Sequence, residues 1–224
     1  TGSDCTPAGI RKACEDSLKR LDTNYIDLYQ FHDNGFPAGK AEPVRETLEE
    51  LVKEGKLRAY GWSTDFADRA EVFAQGKNCT SIQLQLNVLD NNTEVIALCE
   101  KYNLAAINRG PLAMGLLSGK YTASSKPSID DVRGEKSPEW MKYFKDGKPS
   151  PEWMKKREAV QEILTTQGRT LSQGALAWLW ARSEQTLPIP GFRTVAQVEE
   201  NCGAMQFGAL TVEQMNEIET LLKR

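Results

Sequence analysis

A chain of 224 residues, 40% hydrophobic and 26% charged, is sized for one α/β domain or two small ones around a real core. Its net charge of −3 and the lack of a basic stripe exclude nucleic acid as an expected partner. One histidine and five widely spaced cysteines argue against a metal site and a disulfide frame, no apolar run reaches membrane-span length, and no signal peptide is visible; the expectation is a cytoplasmic protein with reduced thiols.

Thr6-Pro7 reads as an N-cap followed by proline at the first helical position, and Ile10, Cys14, Leu18 and Leu21 then recur at helical spacing. Tyr25 to His32 is apolar, aromatic or β-branched for most of its length, which predicts a buried strand ending at the sole histidine. Pro43 opens a second helix with Val44, Leu48, Leu51 and Val52 on one face and Gly55 beyond its end. Strands at 57–63, 81–87 and 104–108 alternate with helices near 66–75 and 95–102. A late helix at 171–181 is apolar almost all round, so it is expected to be buried on several sides. A last strand at 187–189 closes with Pro190-Gly191, and Thr194/Gln197 and Thr211/Gln214 fit capping boxes that open two more helices.

Alternation of strands and helices with short connections predicts a parallel sheet with helices packed outside it. No strand runs into a G-x-G-x-x-G turn, so the dinucleotide fingerprint of an open doubly wound sheet is absent. Strand after strand ends in polar residues: His32, Ser63-Thr64, Asn87 and Asn108-Arg109. A (β/α)8 TIM barrel gathers such ends at one mouth, where barrel enzymes keep their chemistry. Residues 122–150 are polar and too long for an ordinary connection, which predicts a functional loop or lid within a single domain spanning 1–224. Ser137–Lys142 recurs as Ser150–Lys155, and each copy carries a helix-start signal at its proline, Pro138 and Pro151. Trp140 and Phe144, with Tyr143 between them, are candidates for a lid or substrate wall.

Taken together, 25–32, Gly55–Ser63, Ile82–Asn87, Gly110–Leu117 and Ile189–Arg193 with Gln197, Glu200 and Asn201 resemble, in order, the bacterial aldo/keto reductases. The resemblance implies a barrel that transfers hydride from NADPH, with NAD(H) as the lesser alternative, to the carbonyl of a small aldehyde or ketone. By that resemblance His32 is the histidine that orients and polarises the carbonyl, a role suited to an imidazole N–H beside a developing alkoxide. Ser63 and Gln83 match residues that bond the nicotinamide carboxamide, with Thr64 where the family often has asparagine. Arg109 stands in place of an aromatic that many members stack on the ring. Pro111, Leu112, Gly115, Leu116 and Leu117 match the loop that approaches the pyrophosphate. Gly191 and Arg193 match the site of the adenosine 2′-phosphate, backed by Gln197, Glu200 and Asn201; an arginine gives a phosphomonoester strong charge-assisted bonds.

The same resemblance implies eight strands, whereas five are counted. The expectation is an incomplete barrel, about five of eight strands with the first three missing, and with them the family's aspartate, proton-donating tyrosine and lysine. Such a chain is expected to be inactive alone. The alternative implied by the family is a nucleotide-binding regulatory subunit without turnover.

Overall fold

The computed structural model describes residues 4–224, which form two compact units: residues up to Leu84 with Asn92–Ile107, and Gln85–Asn91 with Asn108–Arg224.

In the first unit α1 (Pro7–Leu21) starts as expected, with the Thr6 hydroxyl accepting from the Gly9 N–H at 3.1 Å. Its buried residues Ile10, Cys14 and Leu18 lie one turn apart, so a single stripe faces the core. There follow β1 (Ile26–Phe31), α2 (Glu42–Lys53), β2 (Leu57–Ser63), α3 (Ala67–Ala74), β3 (Cys79–Gln85), α4 (Thr93–Tyr102) and β4 (Ala105–Arg109). The strands lie in the order β1-β2-β3-β4, and the pairs β1–β2 and β2–β3 are parallel.

The core of this unit sits between one face of the strands and the helices. Phe31, Trp62 and Phe73 are buried and their rings pack at centroid distances of 4.7 to 5.8 Å. Burial of side chains this size stabilises by about 1.5–3 kcal/mol each. The Trp62 indole N–H donates to the Asp33 carbonyl at 3.0 Å, which ties the loop after His32 to the core. On the opposite face, Gln30, Gly61 and Ser81 stand in one row across β1, β2 and β3. Gln30 Nε2 donates to Ser81 Oγ at 2.7 Å directly over Gly61, where a Cβ would lie 2.3 Å from the Ser81 carbonyl oxygen. Any side chain at 61 would part these strands.

The second unit contains the ends of β3 and β4. It continues through β5 (Phe144–Lys145), β6 (Lys148–Pro149), α5 (Pro151–Leu164), α6 (Leu171–Arg182), β7 (Thr186–Pro188), α7 (Val195–Gly203) and α8 (Val212–Leu222). Strand β7 neighbours β4, and the Ile189 N–H donates to the Asn108 carbonyl at 3.1 Å. Helix α6 carries a complete capping box, Thr170 with Gln173, and buries Leu171, Leu176, Trp178 and Leu179, in line with its all-round apolar pattern. No helix among the described residues is long and apolar enough to cross a membrane.

Two local expectations are corrected. The helix expected at Pro138 is a single turn, with the Met141 N–H on the Pro138 carbonyl at 2.9 Å; the Pro151 copy of the repeat does open α5. Between them lies an antiparallel hairpin, β5–β6, turned by Asp146 and Gly147 at φ 50° and 70°. Asp-Gly is the residue pair such a turn favours, a signal the sequence reading passed over. The second correction concerns capping at α7. Thr194 accepts from the Gln197 N–H as expected, but the Gln197 side chain accepts from the Arg193 N–H at 2.7 Å instead of from Thr194.

Candidate active site

In the first unit, parallel register supplies the arrangement. Ser63 stands opposite Gln83, and Phe31 opposite Trp62. His32 follows Phe31 as Ser63 follows Trp62, so His32, Ser63 and Gln83 continue one row across three adjacent strands. Side chains alternate faces along a strand, which puts the row on the face opposite the Phe31–Trp62 core. Ser63 Oγ lies 3.4 Å from Gln83 Oε1, and the Thr64 N–H donates to the Gln83 carbonyl at 2.9 Å. Ser63 and Thr64 are buried, Gln83 is half-buried and His32 is exposed. His32 lines a cavity of about 340 Å³ with Gln30, Asp33 and residues of α1; Ser63, Thr64 and Gln83 do not line it.

The second unit holds a cleft of about 370 Å³. It brings together most residues assigned to the phosphate end: Pro111, Leu112, Gly115, Gly191, Arg193, Gln197, Glu200 and Asn201. Leu116 and Leu117 are fully buried and do not line the cleft. After Gly110 the chain passes through Ala113, Met114 and Gly115, at φ 48°, 56° and 90°. Such left-handed backbone in non-glycine residues needs support from its surroundings. The support comes from Arg133, whose Nη1 donates to the Met114 carbonyl at 3.1 Å while its Nε and Nη2 grip both Asp131 oxygens at 2.6 Å. This fork of hydrogen bonds holds the Asp131 carboxyl down to about 2. Arg157 pins the far end of the segment by donating to the Tyr121 carbonyl at 2.7 Å. Gln173 Nε2, at 3.1 Å from the Glu200 carbonyl, fixes α7 against α6.

Lys120 and Arg133 also line the cleft; Arg133 is balanced by Asp131, so Lys120 and Arg193 are the lining cations that remain beside the carboxylate of Glu200. Among the described residues the exposed Arg193 guanidinium is in no hydrogen bond or ion pair of its side chain, which leaves its donors available to an anion. Lys120 and Arg133 were missed in the sequence because both lie in irregular chain, where neither periodicity nor a motif marks them.

Arg109, at the end of β4, donates to Gln85 Oε1 at 3.1 Å. Phe144 is buried against Tyr121 at a ring distance of 4.9 Å, and Trp140 is 64% exposed. Neither lines the cleft, and Phe144 in this packing is part of the hydrophobic core rather than a wall open to substrate. Among the described residues no group of three His, Cys, Asp or Glu side chains is arranged to hold a metal ion.

Comparison with known proteins bears on the family and the fold. The family model described as the aldo/keto reductase family matches residues 1–223. A probable aldo-keto reductase of Glycine max is 27% identical over 205 residues, covering 89% of this chain and 56% of the relative. The Schizosaccharomyces pombe aldo-keto reductase yakc, whose name specifies NADP(+), is 29% identical over 94% of this chain and 62% of the relative. Among solved structures, a glycerol dehydrogenase from Gluconobacter oxydans superposes with a TM-score of 0.79 at 27% identity, covering 99% of this chain and 65% of that one. The chain therefore spans somewhat over half to two-thirds of the length of these relatives, and its parallel α/β fold is that of their (β/α)8 barrels. With the whole of 1–223 matched, the chain belongs to the aldo/keto reductase family.

Proposed function

We propose that the intact protein reduces an aldehyde or ketone to an alcohol with a nicotinamide dinucleotide, NADPH in preference to NADH, and that these 224 residues supply its carbonyl-orienting and cofactor-holding groups. The observation that carries this reading is the row of His32, Ser63 and Gln83 across three adjacent parallel strands. When bound, the dinucleotide supplies the hydride. Each unit by itself fits one part of it: Ser63 and Gln83 of the first offer a hydroxyl and an amide suited to a carboxamide, and the cleft of the second offers Arg193 and Lys120 to phosphate. In this reading His32 donates an imidazole N–H hydrogen bond to the substrate oxygen and stabilises the negative charge that grows there, while the proton that completes the alcohol falls to the family's tyrosine, which has no counterpart among these residues. Ser63, Gln83 and the backbone around Thr64 fix orientation, which lowers the barrier by positioning. Arg193 grips the 2′-phosphate, and the pinned turn at 113–115 presents backbone to the pyrophosphate.

The test is cofactor titration followed by turnover with a panel of aldehydes and ketones. His32→Ala is expected to lower kcat/KM by about 10²-fold or more while leaving the cofactor dissociation constant within about twofold. Binding without oxidation of NADPH on any carbonyl would favour the regulatory alternative. Failure to bind either cofactor would overturn the proposal.

A further inference from the structure

A set of polar side chains lies beside Arg109, entirely within the second unit. Its hub is Tyr143, buried at 2% exposure in the segment that leads into β5. The Tyr143 oxygen accepts from Gln85 Nε2 at 2.9 Å and from Asn87 Nδ2 at 2.8 Å, and its hydroxyl donates to Asp90 Oδ2 at 3.3 Å. Burial pushes the phenol up from its ordinary value, so it keeps the proton it donates. Lys142 Nζ sits 2.5 Å from the same Asp90 oxygen and balances its charge. The Trp153 ring packs on the Tyr143 ring at 5.0 Å and shields the set from α5.

Chemistry fixes which way each amide points. Gln85 Nε2 donates to both Tyr143 and Asp90, each at 2.9 Å, and its carbonyl oxygen receives the Arg109 guanidinium at 3.1 Å. A flipped amide would set oxygen against the Asp90 carboxylate and N–H against the arginine, a double mismatch. Asn87 divides its two N–H donors between Tyr143 and the Gly110 carbonyl at 3.0 Å, while its oxygen accepts from the Leu89 N–H at 3.0 Å. One hydroxyl thus joins two amides whose orientation Asp90, the Gly110 carbonyl and the Leu89 N–H fix, and the amides hold the side chain of Arg109 and the backbone of the next residue. Gly110 begins the turn that leads to the phosphate cleft.

We propose that Tyr143, acting through Gln85 and Asn87, is the positioning residue for Arg109 and for the Gly110–Pro111 turn. The long segment after the cleft is thus keyed at 143 as a fixed support of the site. This rests on the reading of Arg109 as a residue that faces the nicotinamide end.

A double-mutant cycle tests it, with cofactor dissociation constants and carbonyl KM read separately for Tyr143→Phe, Arg109→Met and the pair. Tyr143→Phe, which removes all three hydrogen bonds of the hydroxyl, is expected to weaken cofactor binding by about fivefold or more. The pair should be less than additive, falling below Arg109→Met only by the part that runs through Asn87 to the Gly110 carbonyl. Asp90→Asn, which keeps shape but no longer dictates the Gln85 amide, should reproduce the Tyr143→Phe effect; it serves as the second probe if Tyr143→Phe unfolds. Multiplying effects in the pair, or wild-type affinity in both Tyr143→Phe and Asp90→Asn, would overturn the relay. An Arg109→Met protein with unchanged affinity and KM would instead overturn the assignment of Arg109.

Discussion

Gly115→Val perturbs the turn on which the phosphate cleft depends. Gly115 sits at φ 90°, and a Cβ built there lies 3.3 Å from both Arg133 Nη1 and Tyr121 Cε2. Left-handed backbone costs a side-chain-bearing residue about 1–2 kcal/mol. Displacing Arg133 from the Met114 carbonyl forfeits a charge-assisted bond, about 1.5–3 kcal/mol. The sum is roughly 2.5–5 kcal/mol against the local structure, which for a chain of this size is a fall in Tm of about 5–20 °C if the whole fold feels it. Relaxation of the turn would shift the loss from Tm to affinity, because the backbone that faces the cleft would move. The assay is cofactor titration by fluorescence beside ligand-free thermal melts, for Gly115→Val, Gly115→Ala and Arg133→Ala. Arg133→Ala and Gly115→Val should be less than additive, since both break the same bond. A valine variant with wild-type affinity and a Tm within about 1 °C of the parent would refute this account of the turn.

Other outcomes follow from single contacts. Arg193→Ala is expected to lower the ratio of NADPH to NADH affinity by at least about tenfold, read from the two dissociation constants; an unchanged ratio would place the 2′-phosphate elsewhere. Asp131 is held near 2 against an ordinary 3.8. Because its folded value is the lower one, the contribution of its pair with Arg133, at most about 2 kcal/mol, is present above about pH 4 and lost as pH falls through about 2. Acid melts of Asp131→Asn should lack that component, and parallel curves for the two proteins would count against it. Burial pushes Cys79 and Cys99 up to about 12, and Cys14 is buried as well, whereas Cys202 is exposed. Native alkylation near pH 8, followed by mass spectrometry, should therefore mark Cys202 and spare Cys14, Cys79 and Cys99 until the chain unfolds.

Periodicity alone determined much of this protein. The five strands of the larger sheet and most helices were legible, the helices because each buries one stripe, as at Ile10, Cys14 and Leu18, and the strands because short apolar runs such as Leu57–Ser63 are bounded by turn residues. His32 and Ser63 were legible as strand ends, since a parallel sheet must deliver such ends to one side, whereas Gln83 lies inside its strand and was singled out only by the family resemblance. Tertiary structure decided what lies in irregular chain. Residues 131–133 carry no repeat that announces a grip on the Met114 carbonyl; that bond exists because folding brings two stretches together across 19 residues. Tyr143 and Phe144 look alike in sequence, as neighbouring aromatics of a supposed lid. Their contacts separate them: Phe144 is buried against the Tyr121 ring, while Tyr143 meets two amides and a carboxylate. A buried hydroxyl must find partners, and which partners it finds is settled by packing, to which the order of residues along the chain is no guide.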